Sequence, residues 1–196
     1  MGIVIYLTGA PATGKSTLCK DLIDRVQGIK AYSYSELLRD HINRNTVKQV
    51  DEIGIRCQSG SIVTNKSVAE IDKWLVNEIQ TKRVDHNIII DSHAVTKEHY
   101  GFRITPYTPV QLSALDPDMI ICLYAEPSVI AERILEDPAG RPLPSLFELS
   151  LHVELQSSLA AQYSFVLGKP IHLIDSSMEP DTVVDQLISL TQLEVT

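Results

Sequence analysis

The fold is decided by the stretch Gly9-Ala10-Pro11-Ala12-Thr13-Gly14-Lys15-Ser16-Thr17, which matches the phosphate-binding pattern G-x-x-x-x-G-K-[ST]. It follows an apolar run at residues 3–7 that predicts a buried strand. It precedes Leu18, Leu22 and Val26, whose spacing of four residues predicts a helix with one apolar face. Because a strand, a glycine-rich loop and a helix are the context in which this pattern works, the whole stretch is predicted to bind a nucleoside triphosphate.

Each residue type in this loop has a chemical reason. Gly9 and Gly14 allow tight turns that aim backbone N–H groups inward, and the following helix adds its positive dipole end. Lys15 is predicted to reach the β- and γ-phosphates, and the Ser16 hydroxyl to coordinate Mg²⁺.

Asp91 directly follows the apolar run at residues 88–90. A carboxylate at this position typically holds a water on the Mg²⁺ ion. A capping aspartate is the alternative. The predicted cofactor is therefore Mg²⁺, bound together with the nucleoside triphosphate.

Length, charge and cysteine content narrow the class of protein. The chain has 196 residues, 44% of them hydrophobic, and is predicted to form one domain over residues 1–196. Its net charge of −8 argues against general affinity for nucleic acid or anionic membranes. The sequence contains no apolar run long enough to span a bilayer and no signal segment, and Cys19, Cys57 and Cys122 follow no pairing or metal pattern. A cytoplasmic protein with free thiols is expected.

Apolar runs and helical patterns alternate along the chain. The predicted strands lie at residues 3–7, 29–34, 88–90, 119–124 and 171–174. The predicted helices lie at about residues 15–27, 35–45, 65–84, 127–137, 146–167 and 181–192. This alternation predicts an α/β fold, a three-layer P-loop sandwich whose five-stranded parallel sheet carries helices on both faces. Capping boxes at Ser67–Glu70 and Ser145–Glu148 predict two helix starts. The irregular segments are predicted to bind ligands; they are residues 46–63, 92–117 and 137–145.

A second phosphate site is predicted where the second strand ends. The stretch SYSELLR, residues 33–39, ends this strand and opens a helix on the side that faces an acceptor. Arg39 lies one turn into that helix, where a guanidinium can hold a phosphate through two hydrogen bonds. The acceptor is therefore predicted to carry a phosphate, although a solvated helix arginine is the alternative. Further along, three prolines and a glycine within residues 137–144 predict a hinged excursion between two helices.

Together these motifs resemble those of the nucleoside monophosphate kinases. The Gly-Ala-Pro-x-Thr-Gly-Lys-Ser loop followed by Ser-x-x-x-Leu-Leu-Arg carries the resemblance near the N-terminus. The rest of the chain is most similar to archaeal-type adenylate kinases. The segments that carry this similarity include Ile90-Asp91-Ser92-His93, Leu115-Asp116-Pro117-Asp118 and Ala160-Ala161-x-Tyr163. The similarity runs along the whole chain.

The resemblance implies transfer of the γ-phosphoryl group of ATP to AMP, giving two ADP. The residues it implies to be catalytic are Lys15, Arg133, Arg141 and Asp91. Arg133 would lie against the ATP base and phosphates, and Arg141 would belong to a short lid at about residues 137–145. For Arg133 the alternative is a salt-bridged surface residue near Glu136 and Asp137, and for Arg141 a residue without a catalytic role.

The acceptor region implied by the resemblance covers about residues 33–86. The residues that would bind the monophosphate are Tyr34, Ser35, Arg39 and His93. His93 follows the strand that ends in Asp91, and an ordinary loop histidine is the equal alternative for it. The implied partners are ATP and a nucleoside monophosphate, without nucleic acid or membrane, and a homotrimer is implied by the resemblance alone.

Three positions depart from the archaeal-type pattern. Those enzymes commonly have a small residue where Lys15 stands, and arginines where this chain has Ala139 and Ser157. Cations around the transferring group matter for phosphoryl transfer, so two alternatives stay open. One is a kinase for another small acceptor, such as CMP or a deoxynucleoside monophosphate; the other is a regulatory ATPase of the same fold. The stripe of His152, Gln156 and Tyr163 predicts either a polar seam beside the site or ordinary helix surface or core.

Overall fold

The computed structural model describes residues 1–45, 65–137 and 142–195. Its strands are β1 (Val4–Gly9), β2 (Ile29–Ser33), β3 (Asn87–Asp91), β4 (Val95–Glu98), β5 (Gly101–Ile104), β6 (Met119–Tyr124) and β7 (Ile171–Asp175). Its helices are α1 (Lys15–Arg25), α2 (Tyr34–Asn45), α3 (Asn65–Lys82), α4 (Pro109–Leu115), α5 (Pro127–Glu136), α6 (Leu146–Leu167) and α7 (Pro180–Thr191). Every strand and helix predicted from the sequence is present, with ends that differ by at most two residues.

Five strands form one parallel sheet in the order β2-β3-β1-β6-β7. Side chains alternate between its two faces, as the period of two requires. The face that carries Val4 and Tyr6 packs against α3, α4 and α6. The face that carries Ile5 and Leu7 packs against α1 and α7. The three-layer α/β fold is therefore confirmed, and the carboxyl ends of its parallel strands meet along one edge.

The segment predicted as the irregular loop 92–117 is largely regular. It contains the antiparallel hairpin β4–β5 and the helix α4. The hairpin strands were missed because they are only four residues long each and alternate poorly, VTKE and GFRI. The helix did have a local signal, since Thr108-Pro109-Val110-Gln111 forms a capping box with proline at the first helical position.

Of the two predicted helix starts, one is right and one is wrong. Ser145 caps α6 through the Glu148 N–H, and the Glu148 carboxylate accepts from the Ser145 N–H in return. In contrast, α3 already includes Asn65, so Ser67 lies inside the helix instead of capping it. The predicted loop at residues 46–63 lies outside the described residues.

Two further predictions concern membranes and thiols. Within the described ranges, no helix has the length and apolar character needed to cross a bilayer. Cys19 and Cys122 are buried free thiols, as expected, and Cys57 lies outside the described residues.

Candidate active site

The phosphate loop, residues 9–17, has the backbone that its glycines predict. Gly9 has a φ of 150° and Gly14 a φ of 85°, which favour glycine. A Cβ atom at Gly9 would lie 2.5 Å from the carbonyl oxygen of Leu123 and 2.8 Å from Oγ1 of Thr13, so a larger residue would displace the loop. Ala12 also has a positive φ, 60°, which is unfavourable for an L-residue. The loop is therefore tightly turned and strained, as functional loops often are.

The N-terminus of α1 has a glycine in place of a capping side chain. Its N-cap residue, Gly14, makes no side-chain hydrogen bond, and its first turn has no acidic residue. Helix α6 is different, because Ser145 and Glu148 form a complete capping box there. The first N–H groups and the positive dipole end of α1 are thus available to an anion. Ser16 and Thr17 are exposed in this first turn, as a nucleotide site requires.

Lys15 lies over the loop that precedes it. Its Nζ atom donates to the carbonyl oxygens of Gly9 at 2.9 Å and Ala10 at 3.0 Å, and its side chain is largely buried. The Thr13 hydroxyl donates to the same Ala10 carbonyl at 2.8 Å. These contacts fix a buried cation inside the loop, where it can attract phosphate oxygens without first being desolvated.

Asp91 ends β3 between the ends of two other strands. It pairs in register with Leu7 of β1 and with Ser33 of β2. Burial raises the pKa of Asp91, and the positive charge of Lys15 acts in the opposite direction. Its Oδ1 atom is buried and has no hydrogen-bond partner within the part of the chain that the structure describes. A buried carboxylate oxygen left open at this edge is suited to accept from a water bound to a cation.

Glu36 lies near this sheet edge as well, although no sequence pattern marked it. It lies in the first turn of α2, and its negative charge contributes to raising the pKa values of Asp91 and Cys19. This coupling places the Glu36 carboxylate near the same sheet edge as Asp91 and Lys15. Its position within SYSELLR was visible, but no pattern distinguished it from a solvated helix glutamate.

The side predicted to hold the acceptor contains a hydrogen-bond network around Asp72. The Tyr34 hydroxyl donates to Asp72 Oδ1 at 2.7 Å, and Gln111 Nε2 donates to Oδ2 at 2.7 Å. Asp72 is buried, and burial raises its pKa. Ser35 Oγ lies 3.1 Å from Ser33 Oγ beside this network. The network connects α2, α3 and α4. No local sequence pattern at Asp72 or Gln111 indicated that these side chains would meet.

Arg39 and Arg133 lie on different sides of the site. Arg39 is one turn into α2, 30% exposed, with Nε 3.5 Å from Oδ1 of Asp40. Arg133 of α5 donates to the carbonyl of Ala12 at 3.4 Å and to that of Ser176 at 2.6 Å. Its guanidinium therefore touches the phosphate loop directly, which fits a residue on the donor side.

His93 and Arg141 are the two remaining predicted site residues. His93 is exposed in the connection between β3 and β4, two positions after Asp91. Arg141 lies outside the described residues, together with the rest of residues 138–141 in the predicted lid. Among the residues that are described, no group of three or more His, Cys, Asp and Glu side chains could hold a metal ion.

The fold and the loop define a P-loop nucleotide-binding protein, and two solved structures share its architecture. The tunicamycin resistance protein of Deinococcus radiodurans is similar with a TM-score of 0.63 and 14% identity, covering 100% of this chain and 99% of that chain. A sugar kinase of Janibacter sp. HTCC2649 is similar with a TM-score of 0.55 and 14% identity, covering 96% of this chain and 94% of that chain.

Sequence comparison defines the family. A family model described as an AAA domain matches residues 8–146, and the chain belongs to this family. Adenylate kinase of Pyrococcus furiosus is 24% identical over 201 residues, covering 100% of this chain and 98% of that protein. The resemblance to nucleoside monophosphate kinases of the archaeal adenylate kinase type is thereby confirmed. The chain is an ATP-dependent phosphotransferase.

Proposed function

We propose that this chain transfers the γ-phosphoryl group of ATP to AMP and releases two ADP. The observation that carries the proposal is the register at Asp91, which lies beside Leu7 of β1 and Ser33 of β2. The phosphate loop follows β1, and the acceptor helix α2 follows β2. Donor and acceptor phosphates bound to these elements would meet at Asp91, as an in-line transfer needs. The full-length similarity to adenylate kinase of Pyrococcus furiosus supports AMP as the acceptor.

The donor residues would act mainly by holding charge in place. Lys15 and the N–H groups at the start of α1 would bind the β- and γ-phosphates, and Arg133 would add a cation from α5. Arg141 would bring a further cation with the lid. No general base is needed, because a monophosphate oxygen is already a competent nucleophile.

The acceptor residues would orient that nucleophile. Arg39 would hold the monophosphate by exchanging its contact with Asp40 for two bonds to phosphate oxygens. Tyr34 and Ser35 would line the start of the acceptor helix, and His93 would approach from the connection after β3. The Asp72 network would keep Tyr34 in place, because it fixes the phenol from α3.

The residues present fit a hydrated Mg²⁺ ion. Ser16 would coordinate it directly, and the open Oδ1 atom of Asp91 would accept from one of its waters. The ion would neutralise charge on the β- and γ-phosphates when bound. Because Mg²⁺ usually keeps several waters and takes few protein ligands, a single buried carboxylate is sufficient at this edge.

One observation favours the alternatives. Ser157, which stands where archaeal-type enzymes tend to have an arginine, has its hydroxyl oxygen 3.8 Å from Sγ of Cys122 in the sheet. No cation is supplied from this position, and Ala139 supplies none in the lid. A chain with fewer cations around the transferring group suits a slower kinase, a different small acceptor, or a regulatory ATPase.

A coupled assay with a panel of acceptors tests the proposal. ADP formation is followed with AMP, CMP, dAMP and dCMP, and with no acceptor, using Lys15→Ala protein to measure contaminating activity. We expect AMP to give the highest kcat/KM, with two ADP formed for each ATP consumed. A preference for CMP or a deoxynucleotide would contradict AMP specificity, and equal turnover without an acceptor would support the ATPase.

A further inference from the structure

A row of polar side chains runs along the inner face of α6. We call it the α6 seam, and its members are Glu148, His152, Gln156 and Tyr163. His152 and Tyr163 are each 3% exposed and Gln156 is 1% exposed. Burying polar groups is costly unless they form hydrogen bonds. Each member of the seam has a specific partner, so the row is more than a packed helix face.

Gln156 is the member with the most informative contacts. Its Nε2 atom donates to Oγ1 of Thr8 at 2.8 Å, and its Oε1 atom accepts from the N–H of Val95 at 3.2 Å. His152, one turn earlier, has Nε2 3.0 Å from the carbonyl oxygen of Val95. Since a carbonyl only accepts, this nitrogen carries the proton, and burial lowers the pKa of His152 and favours the neutral ring. One turn of α6 therefore binds both main-chain polar groups of Val95.

The partners of Gln156 lie next to the reacting elements. Thr8 immediately precedes Gly9, the first residue of the phosphate loop, and is fully buried. Val95 lies four positions after Asp91 and begins the hairpin β4–β5. A single side-chain amide thus spans the distance between the start of the phosphate loop and the connection that carries Asp91 and His93.

The seam also reaches the helix end nearest the predicted lid. Glu148 Oε1 lies 3.1 Å from Nζ of Lys97 on β4, and Glu148 belongs to the capping box that starts α6. At the other end, the Tyr163 hydroxyl accepts from the N–H of Tyr107 at 2.9 Å. Gln156 lies between these two attachments, where the helix is fixed to the central strand of the sheet.

We propose that Gln156 is a positioning residue for phosphoryl transfer, which sets the phosphate loop and the segment from Asp91 to Val95 at their working distance. This inference rests on the proposed function for its kinetic test. Removing the amide leaves the Thr8 hydroxyl and the Val95 N–H unpaired, so both segments gain freedom to shift. Displacement of a reacting group by about 1 Å can cost roughly 100-fold in rate.

The decisive variant is Gln156→Met, which keeps the length of the side chain and removes both hydrogen bonds. Its matched control is Gln162→Met, the same change at an exposed position of the same helix. We expect Gln156→Met to lower kcat roughly 10- to 100-fold, with both KM values changed less than about 3-fold. Gln162→Met should match the wild type. A kcat of Gln156→Met within about 2-fold of the wild type would overturn the proposal.

A second variant separates positioning from simple stability. Thr8→Val in the Gln156→Met background replaces both polar partners by apolar groups of similar shape, which removes one unpaired group. We expect the double variant to recover part of the lost Tm while kcat stays low. If kcat recovers together with Tm, Gln156 serves only stability and the proposal is wrong.

Hydrogen exchange gives a readout that needs no substrate. In Gln156→Met, amides of the peptides covering residues 8–15 and 91–95 should exchange faster than in the wild type and in Gln162→Met. Unchanged exchange in both peptides would overturn the proposed link. If Gln156→Met shows faster exchange but the wild type does not phosphorylate AMP, the link is supported and the proposed function is contradicted.

Discussion

The phosphate loop on the donor side is held by contacts between neighbours in sequence, whereas the Asp72 network on the predicted acceptor side joins residues that are distant in sequence. Lys15 bonds to Gly9 and Ala10, which are six and five positions away. Tyr34 and Gln111 bond to Asp72 across 38 and 39 positions. The nucleotide loop can therefore form from a short motif, but the Asp72 network exists only once three helices have packed.

This difference explains why the reaction is easier to assign than the acceptor. A short motif keeps its chemistry wherever a strand and a helix flank it, and so it indicates a nucleoside triphosphate as the ligand. The acceptor surface depends on how α2, α3 and α4 pack together, and packing can change while the sequence pattern is kept.

The largest effect is expected at the donor half. Lys15→Ala should lower kcat/KM roughly 10²- to 10³-fold, about 3–4 kcal/mol, because it removes a preorganised cation from the transferring group. The circular dichroism spectrum should be unchanged. Lys20→Ala, an exposed lysine of the same helix, is the control. A folded Lys15→Ala protein with wild-type turnover would contradict the assignment of the loop.

Arg39 tests the acceptor half in isolation. Arg39→Ala should raise the KM for the monophosphate and lower kcat, for a loss of roughly 10- to 100-fold in kcat/KM, while ATP affinity changes little. Arg44→Ala, exposed near the end of the same helix, should behave as the wild type. Weaker ATP binding with an unchanged acceptor KM would mean that the two halves are assigned the wrong way round.

The sequence predicted the sheet, its flanking helices and the donor loop because those features have local signals. That the loops after parallel strands share one edge follows from the fold class, but the strand order and the register of Asp91 with Leu7 and Ser33 come from the structure. The capping box at Thr108 and Gln111 is a further local signal, for α4.

The rest depended on tertiary contacts that no local pattern encodes. Gln156 meets Thr8 across 148 positions, and its helix stripe was consistent with a polar seam beside the site or with ordinary helix surface or core. Glu36 stood in the quoted motif, but only its nearness to Asp91 gives it a role. The strands of the hairpin β4–β5 are only four residues long each, which explains its weak signal.

Asp72 tests whether the acceptor half depends on hydrogen bonds or on charge. Asp72→Ala should lower the free energy of unfolding by about 1–3 kcal/mol and raise the acceptor KM, because Tyr34 and Gln111 lose their partner. Gln111 cannot turn its amide around, since its Oε1 atom accepts from the N–H and hydroxyl of Thr108 at 2.8 Å each.

Asp72→Asn should restore most of that loss. Its oxygen can accept from Gln111, and its amide can donate to the Tyr34 hydroxyl, which then acts as the acceptor. Since burial already disfavours the charge of Asp72, a neutral side chain loses little. Chemical denaturation and acceptor titrations of the two variants measure the difference. Equal damage in both would show that the charge itself is required.

The smallest effect is expected at Glu148, where the start of α6 meets the hairpin β4–β5. Hydrogen bonding from the N–H of Ser145, together with Lys97, lowers the pKa of Glu148 from 4.5 to about 2. A carboxylate whose pKa is lower in the folded state stabilises the protein above its unfolded pKa, and this contribution disappears as the pH falls towards 2.

Glu148→Gln keeps the capping geometry but loses the charge, so its Tm should fall slightly below that of the wild type at pH 7. The gap should close between about pH 5 and pH 2, as the wild-type carboxylate takes up its proton. A gap that stays constant over this range would mean that the charge of Glu148 does not matter, and that the ion pair with Lys97 contributes nothing to holding α6 against the hairpin β4–β5.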